Sequence, residues 1–202
     1  MDVGTAIASA FSAGISMYGV LAALGIAGRL DWIDAPAALE GPFVIAILLV
    51  LFVVELVVDK IAWLDSVWDA IHTFLRPAAG ATIMAIAPDQ TLPVPVALGI
   101  GAALALTSHS AKATTRALVN TSPEPVSNVV VSTAEDGLVA ALMALAIANP
   151  EVAAAVTAVL VVLALGLILT AGSLLRRLKR RFSGRRSERS RTRPRPDDPE
   201  PP

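Results

Sequence analysis

The chain has 202 residues, no cysteine, an apolar share of 55% and a mean hydropathy of +0.68. That excludes disulfides, thiolate metal sites and thiol nucleophiles, and it is more hydrophobic than an ordinary water-soluble domain. The formal charge of −1 hides a split. Eleven of the 16 Lys and Arg fall between Arg176 and Arg195, in a C-terminal stretch with four acids, whereas the body before it holds five cations and 13 acids.

Met1-Asp2-Val3 lacks the cationic start of a signal peptide, so the first apolar segment is expected to persist as a mature helix. That segment, residues 4–28, is uncharged, rich in Ala, Gly and Ser, and long enough to cross a bilayer. Its small residues predict a tightly packed interior helix. A polar connector with Asp31, Asp34, Pro36 and Glu40 follows. Residues 42–60 form the second predicted span, opened by Pro42 at a first-turn position and closed by Glu55, Asp59 and Lys60.

The third span is predicted over 70–88, with His72 and Arg76 in its first turns; a re-entrant hairpin is the alternative. Just before it, residues 61–74 read as an amphipathic interfacial helix anchored by Trp63, Trp68 and Phe74. Asp89, Gln90 and Pro93 make a turn into the fourth span, 94–118. There His109, Lys112 and Arg116 recur at helical spacing on one face. The stretch from Asn120 to Pro125 carries two prolines and breaks the helix. The fifth span, 126–148, places Asn128, Ser132 and Glu135 on one stripe with Asp136 beside it. Asn149-Pro150 turns into a clean sixth span, 151–175. Residues 177–202 form an Arg-, Ser- and Pro-rich tail too charged to fold alone.

The blocks E-L-V-V-D-K at Glu55, L-D-S-V-W-D-A-I-H-T-F-L-R-P at Leu64, S-H-S-A-K at Ser108 and N-T-S-P-E-P-V-S-N at Asn120, with A-E-D at Ala134, carry a resemblance. They resemble a bacterial membrane family known only as domain of unknown function 4126. The resemblance covers roughly Gly4 to Leu175 and implies an integral inner-membrane protein. It supplies no activity, cofactor or catalytic residue.

An all-α integral membrane protein of about six transmembrane helices is therefore expected, with a disordered basic tail. Three helices per half would allow two inverted halves. The cationic tail places the C-terminus in the cytoplasm, and six spans return the N-terminus there too. Lys60, Arg76, Lys112 and Arg116 then fall at cytoplasmic helix ends, and Arg29 alone opposes the rule.

Ionisable groups inside membrane helices need a partner or water, and their usual reading is functional. Glu55, Asp59, His109, Lys112, Arg116, Asn128, Ser132 and Glu135 are expected to line a polar cavity. Of the two adjacent acids, Glu135 is taken as the one that faces it. Asp65, Asp69 and His72, at i, i+4 and i+7, would hold a divalent cation together with His109. The break near Asn120–Asn128 would serve as a discontinuous-helix site.

No catalytic signature is recognisable, and no cofactor is identified. A small transporter or channel-like protein for an ion or small polar solute is the leading expectation. A metal-dependent enzyme acting on a lipid headgroup or phosphate is the rival, and a scaffold with structural buried charges is the third reading. The tail is expected to lie on anionic lipid headgroups; it lacks the aromatics that stack nucleic-acid bases. Six short helices leave little internal volume, which suits a homodimer.

Overall fold

The computed structural model describes residues 1–87, 92–119 and 125–191. Among them the protein is all-helical. The helices are α1 (Val3–Ala13), α2 (Met17–Arg29), α3 (Pro42–Val58), α4 (Ala62–Ala85), α5 (Val94–Val119), α6 (Pro125–Ala148) and α7 (Pro150–Arg191). A 3-10 turn, Ala37–Leu39, precedes α3.

The first predicted span is not one helix. α1 ends at Ala13, and Gly14, Ile15 and Ser16 separate it from α2. A continuous helix over 27 residues would separate its ends by about 40 Å. Instead the amino group of Met1 bonds the Asp34 carbonyl at 2.5 Å, only five residues beyond α2. The chain therefore folds back at 14–16 into a helical hairpin. Locally the break is cheap: Gly14 is a poor helix former, and Ser16 adopts extended backbone at the N-cap of α2. Small side chains let the hairpin sit in the middle of the molecule. α1 packs against α4, α5, α6 and α7, and Ala6, Ala8, Ser9, Ala10 and Ser12 are all buried.

The hairpin enters from one end. Thr5 Oγ1 donates to the Ala146 carbonyl at 2.8 Å, and Gly4 lies against Pro150. Met1 shares a core cluster with Ile83, Met84 and Ala87 at the end of α4. Since α7 starts at this end, it runs toward the other, away from Met1. The segment expected as one span, 4–28, is thus two shorter helices joined by a fold-back. The two halves of the chain also begin differently. The first half opens on a folded-back pair, the second on one 26-residue helix.

α4 corrects the third segment. The amphipathic stretch and the apolar stretch fuse into one 24-residue helix starting at Ala62, with Pro77 inside it. Arg76 thus lies mid-helix rather than at a helix end. α4 and α5 make the most extensive helix contact, set by two glycines. A Cβ on Gly80 would stand 2.6 Å from the Gly101 carbonyl oxygen, and Gly101 meets the Gly80 carbonyl in the same way. Close backbone approach of this kind is how membrane helices associate.

The backbone of α7 continues to Arg191, into the segment expected to be disordered. Arg, Lys and Leu are good helix formers, and no proline follows Pro150 before Pro194. Residues 192–202, the turn at Asp89-Gln90 and the break at residues 120–124 lie outside the described residues.

Candidate functional site: a buried charge cluster at the tip of the hairpin

The molecule is polar inside and apolar outside. Phe43, Val50, Val53 and Val57 of α3 and Val159, Val162, Leu163 and Leu169 of α7 are exposed, whereas Glu55, Asp59, Asp65, Asp69, Arg76, Lys112 and Arg116 are buried. Contiguous apolar surface on this scale marks contact with a membrane. Among the described residues three helices are long and apolar enough to cross one: Val94–Val119, Val126–Ala148 and Pro150–Leu174. α4 shows the inversion within one helix. Trp63 is 71% exposed and Phe74 81%, while Asp65, Asp69, His72 and Arg76 face inward. An interfacial helix would turn those faces the other way, so the headgroup reading of this stretch is corrected.

The fold-back places unpaired backbone at depth, where it must be satisfied by protein. The α1 carbonyls end on donors. Ser108 Oγ donates to Phe11 O at 2.6 Å, Arg76 Nη1 to Gly14 O at 3.4 Å, and Lys112 Nζ to Ile15 O at 3.1 Å. Two cations therefore sit at the C-terminal end of α1, the sign its dipole favours. On the other side, Ser16 at the start of α2 donates to Glu55 Oε2 at 2.8 Å, putting an anion by a helix N-terminus. A Ser at this position usually caps its own helix; here it gives its proton to a buried carboxylate.

Arg76, 0% exposed, organises the inner half. Its Nη2 donates to Glu55 Oε1 at 3.0 Å and its Nη1 to Asp69 Oδ1 at 2.8 Å. Nη1 also donates to His109 Nδ1 at 2.9 Å. A guanidinium has no acceptor, so Nδ1 must accept and the proton of His109 lies on Nε2. That N–H donates to Thr73 Oγ1 at 3.2 Å, whose hydroxyl donates to Asp69 O. His109 is thereby held neutral. One turn away His72 Nδ1 donates to Trp68 O at 2.8 Å. Its Nε2 meets Tyr18 Oη at 3.2 Å, and Trp68 stacks on its ring at 4.4 Å.

Lys112 links to the outer half through Asp59 Oδ2 at 2.5 Å. Arg116 then gathers three helices: Glu135 Oε2 at 2.7 Å, Asn128 Oδ1 at 2.7 Å and the Asp59 carbonyl at 2.9 Å. Asn128 Nδ2 donates to the same carbonyl at 3.3 Å. At the rim, half-exposed Lys60 pairs with Asp136 at 3.3 Å and meets Ser132 Oγ at 3.5 Å.

Glu55, Asp59, His109, Lys112, Arg116, Asn128, Ser132 and Glu135 thus meet in one continuous polar region. Asp136 does not point away from it but joins it through Lys60. The metal set does not form. Among the described residues no three of His, Asp and Glu are grouped to hold a metal ion; Asp69 is held by Arg76, His72 by Trp68 and Tyr18, and His109 by Arg76 and Thr73.

Sequence reasoning missed Arg76 as the organiser, and missed Ser16, Ser108, Thr73 and Tyr18 as partners. It also missed the helix break at residues 14–16. The available signal was the stripe 65, 69, 72, 76, 80, a helical face carrying polar groups and then a glycine. A cleft of 480 Å³ between α2, α3 and α6 runs down to Ser16 and Asp136, with walls of Gly19, Ala23, Phe52 and Met143.

The chain belongs to the family described as Domain of unknown function (DUF4126), whose model matches residues 3–170. No curated protein and no solved structure matches it.

Proposed function

We propose that the protein is a small multi-pass transporter of the bacterial inner membrane, handling an ion or small polar solute at the buried cluster. The observation that carries this is the hairpin tip. At the helix-breaking residues 14–16, Arg76 and Lys112 donate to the carbonyls of Gly14 and Ile15, and Ser16 donates to Glu55. Four buried carboxylates, the nearly buried Glu135 and three buried cations make up the surrounding cluster. Discontinuous helices with free carbonyls and charged partners near the bilayer midplane are the recurring architecture of transport sites, and charge in that environment is retained for function.

In this reading α3 to α7 are five crossings and the α1–α2 hairpin is re-entrant. Lys60, Lys112, Arg116 and the basic end of α7 share the cytoplasmic end, with the tail on anionic lipid headgroups. The N-terminus then lies on the opposite side. Arg29, at the end of α2, remains outside the rule.

A second reading is favoured by one observation, the completeness of the pairing around Arg76 and Arg116: a rigid membrane scaffold whose charges fix helix register. Flux separates the two. Purified protein in liposomes is assayed for movement of protons, alkali cations and small polar solutes, and Glu55→Gln is compared with wild type. Flux that the substitution abolishes supports transport. No flux over that panel leaves the scaffold.

A further inference from the structure

The ledger of buried charge does not close. Glu55, Asp59, Asp65 and Asp69 are buried and Glu135 nearly so, against Arg76, Lys112 and Arg116. His109 is neutral because its Nδ1 accepts from Arg76. Lys60 and Asp136 balance each other at the rim. Were His72 charged, five carboxylates would still face four cations. At least one negative charge is left in a place where an unpaired ion is strongly disfavoured.

The hydrogen bonds show where. Asp65 is 1% exposed, yet neither of its carboxylate oxygens has a hydrogen-bond partner. Arg116 Nε stands 3.9 Å from its Oδ2, beyond hydrogen-bond range, and is itself without a partner. The charged groups facing Asp65 are Arg116 and Lys112 from α5, Asp59 at the end of α3 and Asp69 from its own helix. α1, also packed on α4, has no ionisable side chain. The two Nη groups of Arg116 are already taken by Glu135, Asn128 and the Asp59 carbonyl, and Lys112 by Asp59 and Ile15. By contrast, Glu55, Asp59, Asp69 and Glu135 each accept at least one hydrogen bond from a cation.

We propose that Asp65 is a binding site for an exchangeable proton, which offsets the surplus negative charge of the cluster. A proton needs one oxygen. A metal ion needs several, and among the described residues no three carboxylate or imidazole groups are grouped to hold one. The inference stands whether or not the protein transports anything.

The test is infrared spectroscopy of the full-length protein in lipid, reading the C=O band of a protonated carboxyl and its shift in heavy water. Wild type should show a deuterium-sensitive band that Asp65→Asn removes. Since the amide is the neutral isostere, Asp65→Asn should keep the thermal midpoint of wild type or raise it. Asp59→Asn strands Lys112, and should lower the midpoint while keeping the band.

The absence of a wild-type band, or a band that survives Asp65→Asn, overturns the proposal. So does an Asp65→Asn protein that fails to fold. The sodium arm is run on wild type alone, with choline replaced by sodium at constant ionic strength. Sodium that stabilises the protein and removes the band would assign the site to a metal cation and overturn the proton. A midpoint and band indifferent to sodium support it.

Discussion

Arg76→Ala tests the architecture most directly. The side chain is fully buried and joins two carboxylates, an imidazole and a hairpin carbonyl. With charge centres about 4 Å apart and an effective dielectric of about 20, each ion pair has about 4 kcal/mol of Coulomb attraction. Most of this is offset by desolvation while both partners are present. Deleting one partner leaves that cost uncompensated, about 3–5 kcal/mol for a buried pair. Glu55 and Asp69 share one cation, so the loss is not doubled, and Arg76→Ala should cost about 3–5 kcal/mol. Arg76→Lys should cost less, because one ammonium meets one carboxylate but lacks the planar fork that spans two. Neutralising the acid together with the base, as Arg76→Gln with Glu55→Gln, should recover part of the loss as a coupling of about 0.5–3 kcal/mol. The assay is reversible unfolding in mixed micelles, followed by helicity. Should Arg76→Ala unfold within about 1 kcal/mol of wild type, the cluster would not be held as the distances state.

Three further substitutions probe its surroundings. Gly101→Val pushes two methyl groups into the Gly80 backbone; it should cost about 1–3 kcal/mol or prevent assembly, read in the same unfolding assay. Ser16→Ala removes the 2.8 Å bond to Glu55, a hydrogen bond to a charged group of about 1.5–3 kcal/mol, and a smaller loss would mean that Arg76 alone satisfies Glu55. Asp136→Asn breaks a half-exposed pair and should change stability by no more than about 1 kcal/mol; a larger effect would place that pair out of water's reach.

Much of this was legible in the chain because periodicity survives folding. The apolar runs at Pro42, Val94 and Val126 became helices near the expected bounds, and the run at Glu151 became one that continues past residue 175 to Arg191. The stripes Asp65–Asp69–His72 and His109–Lys112–Arg116 became inward faces of α4 and α5. What failed was depth and direction. Hydropathy scores residues 4–28 alike whether they run straight or fold back, and Gly14-Ile15-Ser16 offers neither proline nor charge to mark the turn. A start at residue 70 follows from reading the charge before it as solvated. In the structure Asp69 is answered by Arg76 of the same helix and Asp59 by Lys112 of α5, and the helix begins at Ala62, so Arg76 lies mid-helix. The pairing between helices is tertiary, and no local window contains it.

The pairing also bears on why the charges are there. A buried ion pair gains little over well-packed hydrocarbon of the same volume, and replacing one is often neutral or stabilising. If the helices needed only register, the glycine contact between α4 and α5 would supply much of it, as would the small residues of α1. The hairpin tip needs donors for the carbonyls of Phe11, Gly14 and Ile15, but Ser108 shows that a neutral hydroxyl does this well at 2.6 Å. Two cations at the tip exceed that need; they pair with Glu55, Asp69 and Asp59, while a further buried acid, Asp65, accepts no hydrogen bond. Asn or Leu there would relieve the burial cost and leave Glu55, Asp59, Asp69 and Glu135 paired as they are. An acid at position 65 escapes that cost once it holds a proton, and this is why the infrared band of Asp65 decides more about the cluster than any pairing does.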